Sequence, residues 1–209
     1  MNLLTTPPSR YSAVAKILHW SIAALIAVDF ILALYFAHIA SRDDDFVQTS
    51  YLAHMSVGMW ALALTVVRIA WRLLHTYPPL PAEMGRGVRW LARSTHFLLY
   101  AYMLIVPLSG WFVLSLRRQA APLVPYLSWP AVPWLNTATT HEQRVAIYQT
   151  LLPAHIVLSY AGLGLIALHV AAAFYHHYYR RDDVLMRMLP LRRGAPATPD
   201  SPTEKVMSP

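Results

Sequence analysis

Four histidines lie inside long apolar stretches of this chain: His19, His54, His155 and His169. The last two flank the segment IVLSYAGLGLIAL, which has no charged residue. Fourteen helical residues rise about 21 Å and return to within about 40° of the starting direction. His155 and His169 therefore leave one helix face near its two ends. Because a neutral imidazole is a common ligand of transition metals, the pattern indicates two metal-linked sites on one helix.

The elements that carry these histidines are long enough to cross a membrane. Of 209 residues, 56% are apolar and 13% are charged, against about 25% charged residues in soluble domains. Runs of about 20 apolar residues span a bilayer, and we identify four, at residues 13–40, 51–74, 94–116 and 144–177. The sequence predicts an all-α, integral membrane four-helix bundle over residues 11–190. A polar leader (1–10) precedes it, and a disordered tail rich in Pro, Ser and Arg (191–209) follows.

The basic residues set the expected orientation. Of 17 Lys and Arg residues, 13 lie in the leader, in the loop between the second and third spans, in the tail, or just inside the spans on that side. The positive-inside rule therefore predicts both termini in the cytoplasm. Most of the basic residues behind the net charge of +7 flank the predicted spans. Because they do not form a separate basic domain, we do not expect a nucleic-acid-binding module. The absence of cysteine excludes disulfides and iron–sulfur clusters in this chain.

Topology also predicts which histidines meet. The first span runs outward and the second and fourth run inward, so His19 and His169 share the cytoplasmic depth, and His54 and His155 the outer depth. Two imidazoles on one haem iron give a six-coordinate site suited to electron transfer. We predict two b-type haems, with axial pairs His19–His169 and His54–His155. The alternative for any one histidine is an interhelical hydrogen bond, and metal transport fits less well because acidic ligands are scarce within the spans.

Further candidates lie at the cytoplasmic depth. Arg68, Arg72 and His96 cluster there, with Lys16 three residues before His19. We expect them to hold haem propionates or to line a quinone site, since arginine pairs well with carboxylates. The alternative for Arg68 and Arg72 is snorkelling to lipid headgroups. Two more histidines are expected at the membrane interface rather than at iron, His176 and His177.

The outer side carries a basic group of its own. Arg117, Arg118, His141 and Arg144 lie near the outer histidine pair. They would attract an anion such as superoxide toward that haem, or would serve propionates or lipid phosphates. Asp29 lies in the middle of the first span, where a carboxylate is costly. We expect it to be protonated and hydrogen-bonded within the bundle, or to take part in proton transfer with a quinone.

At these residues the chain resembles the bacterial cytochrome b561 family, small four-helix dihaem membrane cytochromes. The matching residues are Tyr11-Ser12, Leu18-His19-Trp20, His54 with Gly58, Val67-Arg68 with Arg72, His96 with Tyr100, Pro107 with Gly110, His155, and the tract LHVAAAFYHHYYRRDDVLMRMLP at residues 168–190. The tract is the most specific of these matches. The resemblance extends over about residues 11–193.

The resemblance implies haem b bound by His19, His54, His155 and His169, and electron exchange with ubiquinone or another quinone of the bacterial cytoplasmic membrane. It makes a homodimer plausible. Superoxide is a candidate donor at the outer face, which would make the protein a superoxide:ubiquinone oxidoreductase. An electron relay needs no catalytic side chain, and we identify none. The alternatives are a cytochrome b anchor subunit of a larger hydrogenase or dehydrogenase complex, and a haem-free membrane transporter.

Overall fold

Four long helices make up most of the structure. The computed structural model describes residues 8–39, 46–81, 84–124 and 127–190. The elements are α1 (Ala13–Leu34, continued by a π-helical turn at Tyr35–Ile39), α2 (Phe46–Leu74), α3 (Arg86–Leu116), β1 (Ala121–Val124), β2 (Leu127–Trp129), α4 (Pro133–Ala138), α5 (His141–Phe174, continued by a π-helical turn at Tyr175–Arg180) and α6 (Val184–Met188). Helices α1, α2, α3 and α5 are long and apolar enough to cross a membrane. The predicted four-helix membrane bundle is therefore confirmed.

The first and last long helices begin at side-chain caps. The Ser12 hydroxyl accepts a hydrogen bond from the Ala15 backbone N–H at 3.2 Å. Thr140 and Gln143 form a reciprocal capping box at the start of α5. Such caps satisfy backbone N–H groups that the first turn of a helix leaves without partners.

The long helices alternate in direction. Helix α1 packs on α2, α2 on α3, and α3 on α5. Arg10 donates a hydrogen bond to the Met186 carbonyl at 2.8 Å, and Arg187 donates one to the Pro79 carbonyl at 2.7 Å. Residues 8–12, the described part of the α2–α3 loop and α6 therefore lie at one end, which we call the termini end. The opposite end, which carries β1 and β2, is called the hairpin end.

A short β-hairpin lies at the hairpin end. Strands β1 and β2 are antiparallel, with Ala121 opposite Trp129 and Pro122 opposite Ser128. Ala121 is buried in an apolar cluster with Met59. The all-α prediction did not include these strands, and prolines such as Pro122 cannot donate ladder hydrogen bonds. A two-stranded ribbon tolerates them because each of its strands has a free edge.

The helices extend beyond the apolar runs of the sequence. Helix α2 begins at Phe46 rather than at residue 51, and α3 begins at Arg86 rather than at residue 94. The added turns of α3 carry arginines, so hydropathy does not reveal them. Part of the first loop (40–45), part of the leader (1–7) and the tail predicted to be disordered (191–209) lie outside the described residues.

Large apolar side chains cover the outside of the bundle. Ile17, Ile31, Phe97 and Val157 each expose between 65% and 71% of their surface. Apolar exposure on this scale is expected where lipid rather than water surrounds the helices. Together with the four spans, it makes this a multi-pass membrane protein. The side of the membrane on which each end lies stays a prediction.

Candidate functional site

The four predicted histidines lie in two pairs. At the termini end, His19 of α1 faces His169 of α5, with ring centroids 6.3 Å apart and ring planes at 76°. At the hairpin end, His54 of α2 faces His155 of α5, with centroids 6.4 Å apart and planes at 73°. The structure thus brings together the same two pairs of histidines that we predicted from their matching depths in the membrane. Binding of iron between them stays a prediction.

The spacing within each pair suits two ligands of one metal. An imidazole nitrogen binds a transition metal at about 2.0 Å and lies about 1.2 Å from its ring centre, so opposed ligands separate their centroids by about 6.4 Å. The observed spacings are 6.3 and 6.4 Å. Within the described ranges, no group of three or more His, Cys, Asp or Glu could hold a bare metal ion. Each pair supplies two donors, which fits a metal that brings its other ligands with it, as haem iron does.

A hydroxyl on α3 orients the ring of His155. The Ser109 hydroxyl donates a hydrogen bond to the Val106 carbonyl at 2.7 Å. Its oxygen therefore accepts the Nδ1–H of His155, at 2.9 Å, and Nε2 keeps its lone pair for a ligand. Gly110 permits this approach, because a Cβ at position 110 would lie 3.1 Å from Cε1 of His155.

His54 has a carboxylate as its neighbour, whereas His155 has a neutral hydroxyl. Oδ1 of Asp29 lies 2.9 Å from Nδ1 of His54. The Phe36 ring packs edge-on against the imidazole, with centroids 5.5 Å apart. Asp29, which we expected to be protonated and hydrogen-bonded within the bundle or to take part in proton transfer with a quinone, therefore lies next to a predicted ligand.

The two arginines at the termini end contact backbone and aromatic rings. Arg68 donates a hydrogen bond to the Ala15 carbonyl at 2.8 Å. The Arg72 guanidinium lies 4.2 Å from the Tyr77 ring centroid and 5.7 Å from that of Tyr100. Both arginines line a small pocket of about 30 Å³. Its full lining is Tyr11, Ser12, Ala15, Arg68, Trp71, Arg72, His75, Thr76, Tyr77 and Tyr100.

The other two candidates at this end lie outside the pocket. The His96 ring packs edge-on against His169, with centroids 5.5 Å apart. Its Nδ1–H donates to the Ala92 carbonyl at 2.6 Å. Lys16 is not among the pocket residues. The structure therefore brings His96 into contact with a predicted ligand, whereas Lys16 does not line this pocket.

The histidines that follow His169 lie in the second π-helical turn. Nδ1 of His176 is 2.5 Å from the Asp182 carboxylate, and His177 packs edge-on against Tyr178 at 4.8 Å. Neither ring packs on another histidine ring within the described ranges.

A wide basic cavity of about 640 Å³ opens at the hairpin end. Its lining is Leu116, Arg117, Arg118, His141, Arg144, Val145, Tyr148 and Gln149. Arg144 donates a hydrogen bond to the Thr139 carbonyl at 2.8 Å. The structure therefore brings all four outer basic candidates to one cavity, whose lining residues include no carboxylate.

Ser109 and Phe36 were not identified as site residues from the sequence, and Gly110 was noted only within a motif. Ser109 lies 46 residues before His155 in the chain. The one available signal was its place between Pro107 and Gly110 in a predicted span.

The comparisons with known proteins identify the family of the chain. The family profile described as prokaryotic cytochrome b561 matches residues 10–191, which include both histidine pairs. "Cytochrome b561 homolog 2" of Escherichia coli (strain K12) is 26% identical over 186 residues, covering 88% of this chain and 94% of the relative. "Probable superoxide oxidase CybB" of Yersinia pestis is 27% identical over 190 residues, covering 88% of this chain and 98% of the relative.

Proposed function

The chain belongs to the prokaryotic cytochrome b561 family, and on that premise we propose that it is a dihaem cytochrome passing electrons from the hairpin end to the membrane quinone pool. Family membership implies haem b binding and a role in membrane electron transfer. The two haems, their ligands and the redox partners are our proposal. The observation that carries it is the spacing of the two imidazole pairs, 6.3 and 6.4 Å.

We assign one haem to each pair, His19–His169 and His54–His155. When bound, haem supplies the one-electron chemistry. The chain would supply two imidazole ligands for each haem and an apolar interior that excludes water. His155 and His169 share α5, so one helix fixes the two sites about 21 Å apart along its axis. Ser109 keeps the Nδ1 proton of His155 in place and leaves Nε2 free for iron.

For the donor we propose superoxide. The printed name of the Yersinia pestis relative indicates this substrate for that protein. Superoxide is an anion, and the cavity at the hairpin end is lined by Arg117, Arg118, His141 and Arg144. A positive electrostatic field from such residues raises the rate at which an anion reaches the site. Two superoxide anions would each give up one electron and leave as O₂, and one quinone would take both electrons and two protons.

For the acceptor side we propose the pocket at the termini end. Arg68 and Arg72 would hold haem propionates, since their guanidinium groups pair well with carboxylates. The pocket has room for only about two water molecules, so we propose that a quinone docks at its mouth, where Tyr77 and Tyr100 offer hydroxyls to a quinone carbonyl. His96 restrains the ring of His169 by edge-on packing. We place this end at the cytoplasmic face of a bacterial inner membrane, and we assign no role to Lys16.

The test is haem content per chain of the purified protein, with reduced-minus-oxidised spectra. Wild type should carry two b haems. His155→Ala and His169→Ala should each retain one, and the two variants should lose different haems. His38→Ala is the matched control, because His38 is exposed, contacts the Tyr160 hydroxyl rather than another histidine, and lines neither pocket. It should retain both haems.

Two haems in both axial variants would refute the assignment, and no haem in wild type would refute the function. Superoxide should then reduce the loaded protein in liposomes, with ubiquinone as the acceptor. Lack of reduction by superoxide, together with copurification of a large soluble redox subunit, would support a complex-anchoring role instead.

A further inference from the structure

A carboxylate lies beside one of the four paired histidines. Asp29, in the middle of α1, places Oδ1 2.9 Å from Nδ1 of His54 on α2. The approach is close in distance but not aligned in angle. Both atoms are buried, and within the described ranges neither makes an aligned hydrogen bond with any partner. Because an unpaired polar atom inside an apolar bundle is costly, each group is the compensating partner of the other.

The surroundings hold the two side chains together. A Cβ at Gly58, one turn after His54, would lie 3.8 Å from Oδ2 of Asp29. The carboxylate therefore lies along α2 rather than toward lipid. The Phe36 ring packs edge-on against the imidazole of His54. The side chains of His54 and Asp29 are only 22% and 23% exposed.

The other three histidines have no such neighbour. His155 has a neutral partner, the Ser109 hydroxyl, at 2.9 Å. His19 and His169 pack against aromatic rings, and within the described ranges neither has a side-chain hydrogen-bond partner. At the termini end the nearby charge is positive, because Arg68 reaches the α1 backbone one turn before His19. The two sites therefore differ in the sign of their nearest charge.

We propose that Asp29 is a positioning residue for His54 and lowers the reduction potential of the haem at the hairpin end below that at the termini end. This rests on the proposed dihaem function. With haem bound, the carboxylate would accept the Nδ1–H, direct Nε2 toward the iron and make the imidazole a stronger donor. Beside the imidazole, Asp29 acts as a carboxylate rather than in the protonated form expected from the sequence, and a negative charge close to the iron also favours the ferric state. An electron that arrives at the hairpin end therefore moves toward the higher potential at the termini end.

The test is a potentiometric titration of purified, full-length, haem-loaded protein. The variants are Asp29→Asn and Asp29→Ser, which are neutral, and Asp29→Glu, which keeps the carboxylate. Each neutral variant should raise the ferrous-to-ferric ratio of one haem at least tenfold at a fixed potential, a shift of about 59 mV for one electron. The other haem should not change. The shifted haem should be the one that His155→Ala removes and His169→Ala keeps.

Asp29→Glu should stay close to wild type in both potentials. Loss of the hairpin-end haem in the neutral variants, with retention in Asp29→Glu, would equally support the positioning role. Unchanged potentials in a neutral variant that holds both haems, equal shifts at both haems, or loss of haem in all three variants would overturn it. A wild type with fewer than two haems would instead overturn the proposed function, whatever the variants show.

Discussion

Gly162 lies midway between the two histidines of α5, seven residues from each, and the ring of Tyr102 on α3 occupies the space where a side chain would be. A Cβ at position 162 would lie 1.8 Å from Cε2 and 2.2 Å from Cδ2 of Tyr102. Carbon atoms in contact lie about 3.5–4.0 Å apart, so Gly162→Ala must displace the ring by roughly 2 Å. We expect this variant to unfold more easily than wild type.

The size of the effect follows from two opposing contributions. Replacing glycine by alanine in a helix stabilises it by about 1 kcal/mol, whereas overpacking a filled interior costs about 1–3 kcal/mol. The nearly 2 Å overlap puts Gly162→Ala at the upper end, for a net loss of about 1–2 kcal/mol. In a chain of this length each kcal/mol lowers Tm by about 2–4 °C.

The assay is thermal unfolding in detergent, followed by haem absorbance. Gly164→Ala is the matched control on the same helix, because nothing lies within 4 Å of a Cβ at that position. It should equal or exceed wild type in Tm. Tyr102→Leu should rescue much of the loss in a double-mutant cycle, since the two side chains are in contact. Equal Tm values for Gly162→Ala and Gly164→Ala would refute the reasoning.

Ser109→Ala removes the hydroxyl that accepts the Nδ1–H of His155, so haem affinity at the hairpin end should fall about tenfold in a haemin titration. Ser109→Thr keeps a hydroxyl and should bind like wild type. Because the chain has no cysteine, Gln119→Cys should react with a membrane-impermeant maleimide on intact cells and Thr76→Cys only after lysis. The reverse pattern would invert the proposed orientation. In water, the charge of Arg118 stabilises an anion at a distance of about 10 Å by about 0.4 kcal/mol, and Arg118→Gln removes this attraction. Stopped-flow reduction by superoxide should therefore slow about twofold at low ionic strength and match wild type in 1 M salt; a difference that persists in salt would contradict an electrostatic role.

The sequence alone predicts the four spans and the meeting of the four histidines, because both follow from apolar length and alternating direction. The helix starts are less accessible. Helix α3 begins at Arg86 after Gly85, in a segment whose arginines hide it from hydropathy. The β-hairpin contains residues with low β-strand propensity, such as Pro122, so it depends on the pairing of its two strands.

The neighbours of the histidines could not be read from local patterns. The partner of Asp29 is on another helix, and only the packing of α1 on α2 puts the carboxylate beside His54. Ser109 follows a helix proline and donates to the Val106 carbonyl, as many helical serines do. Nothing in its local sequence distinguishes it from an ordinary helix serine. Its contact with His155 depends on the packing of α3 on α5.

Helix register accounts for these neighbours. When two antiparallel helices rise equally per residue, the numbers of two residues that face each other at the same depth always add up to the same total. For α1 and α2 the total is 83 in the contacts Ser12–Trp71, Ala15–Arg68 and Asp29–His54. For α3 and α5 it is 264 or 265 in the contacts Gly110–His155, Tyr102–Gly162 and His96–His169.

This register gives α3 a defined part in the site, although it carries none of the paired histidines. Helix α3 faces three positions of α5 that are seven residues apart. At the first, Ser109 and Gly110 contact His155. At the next two, Tyr102 contacts Gly162 and His96 contacts His169. The orientation of the α5 imidazoles therefore depends on the packing of α3 as well as on the presence of the histidines. A chain that kept all four histidines but shifted α3 by one residue would rotate these contacts by about 100° and lose them.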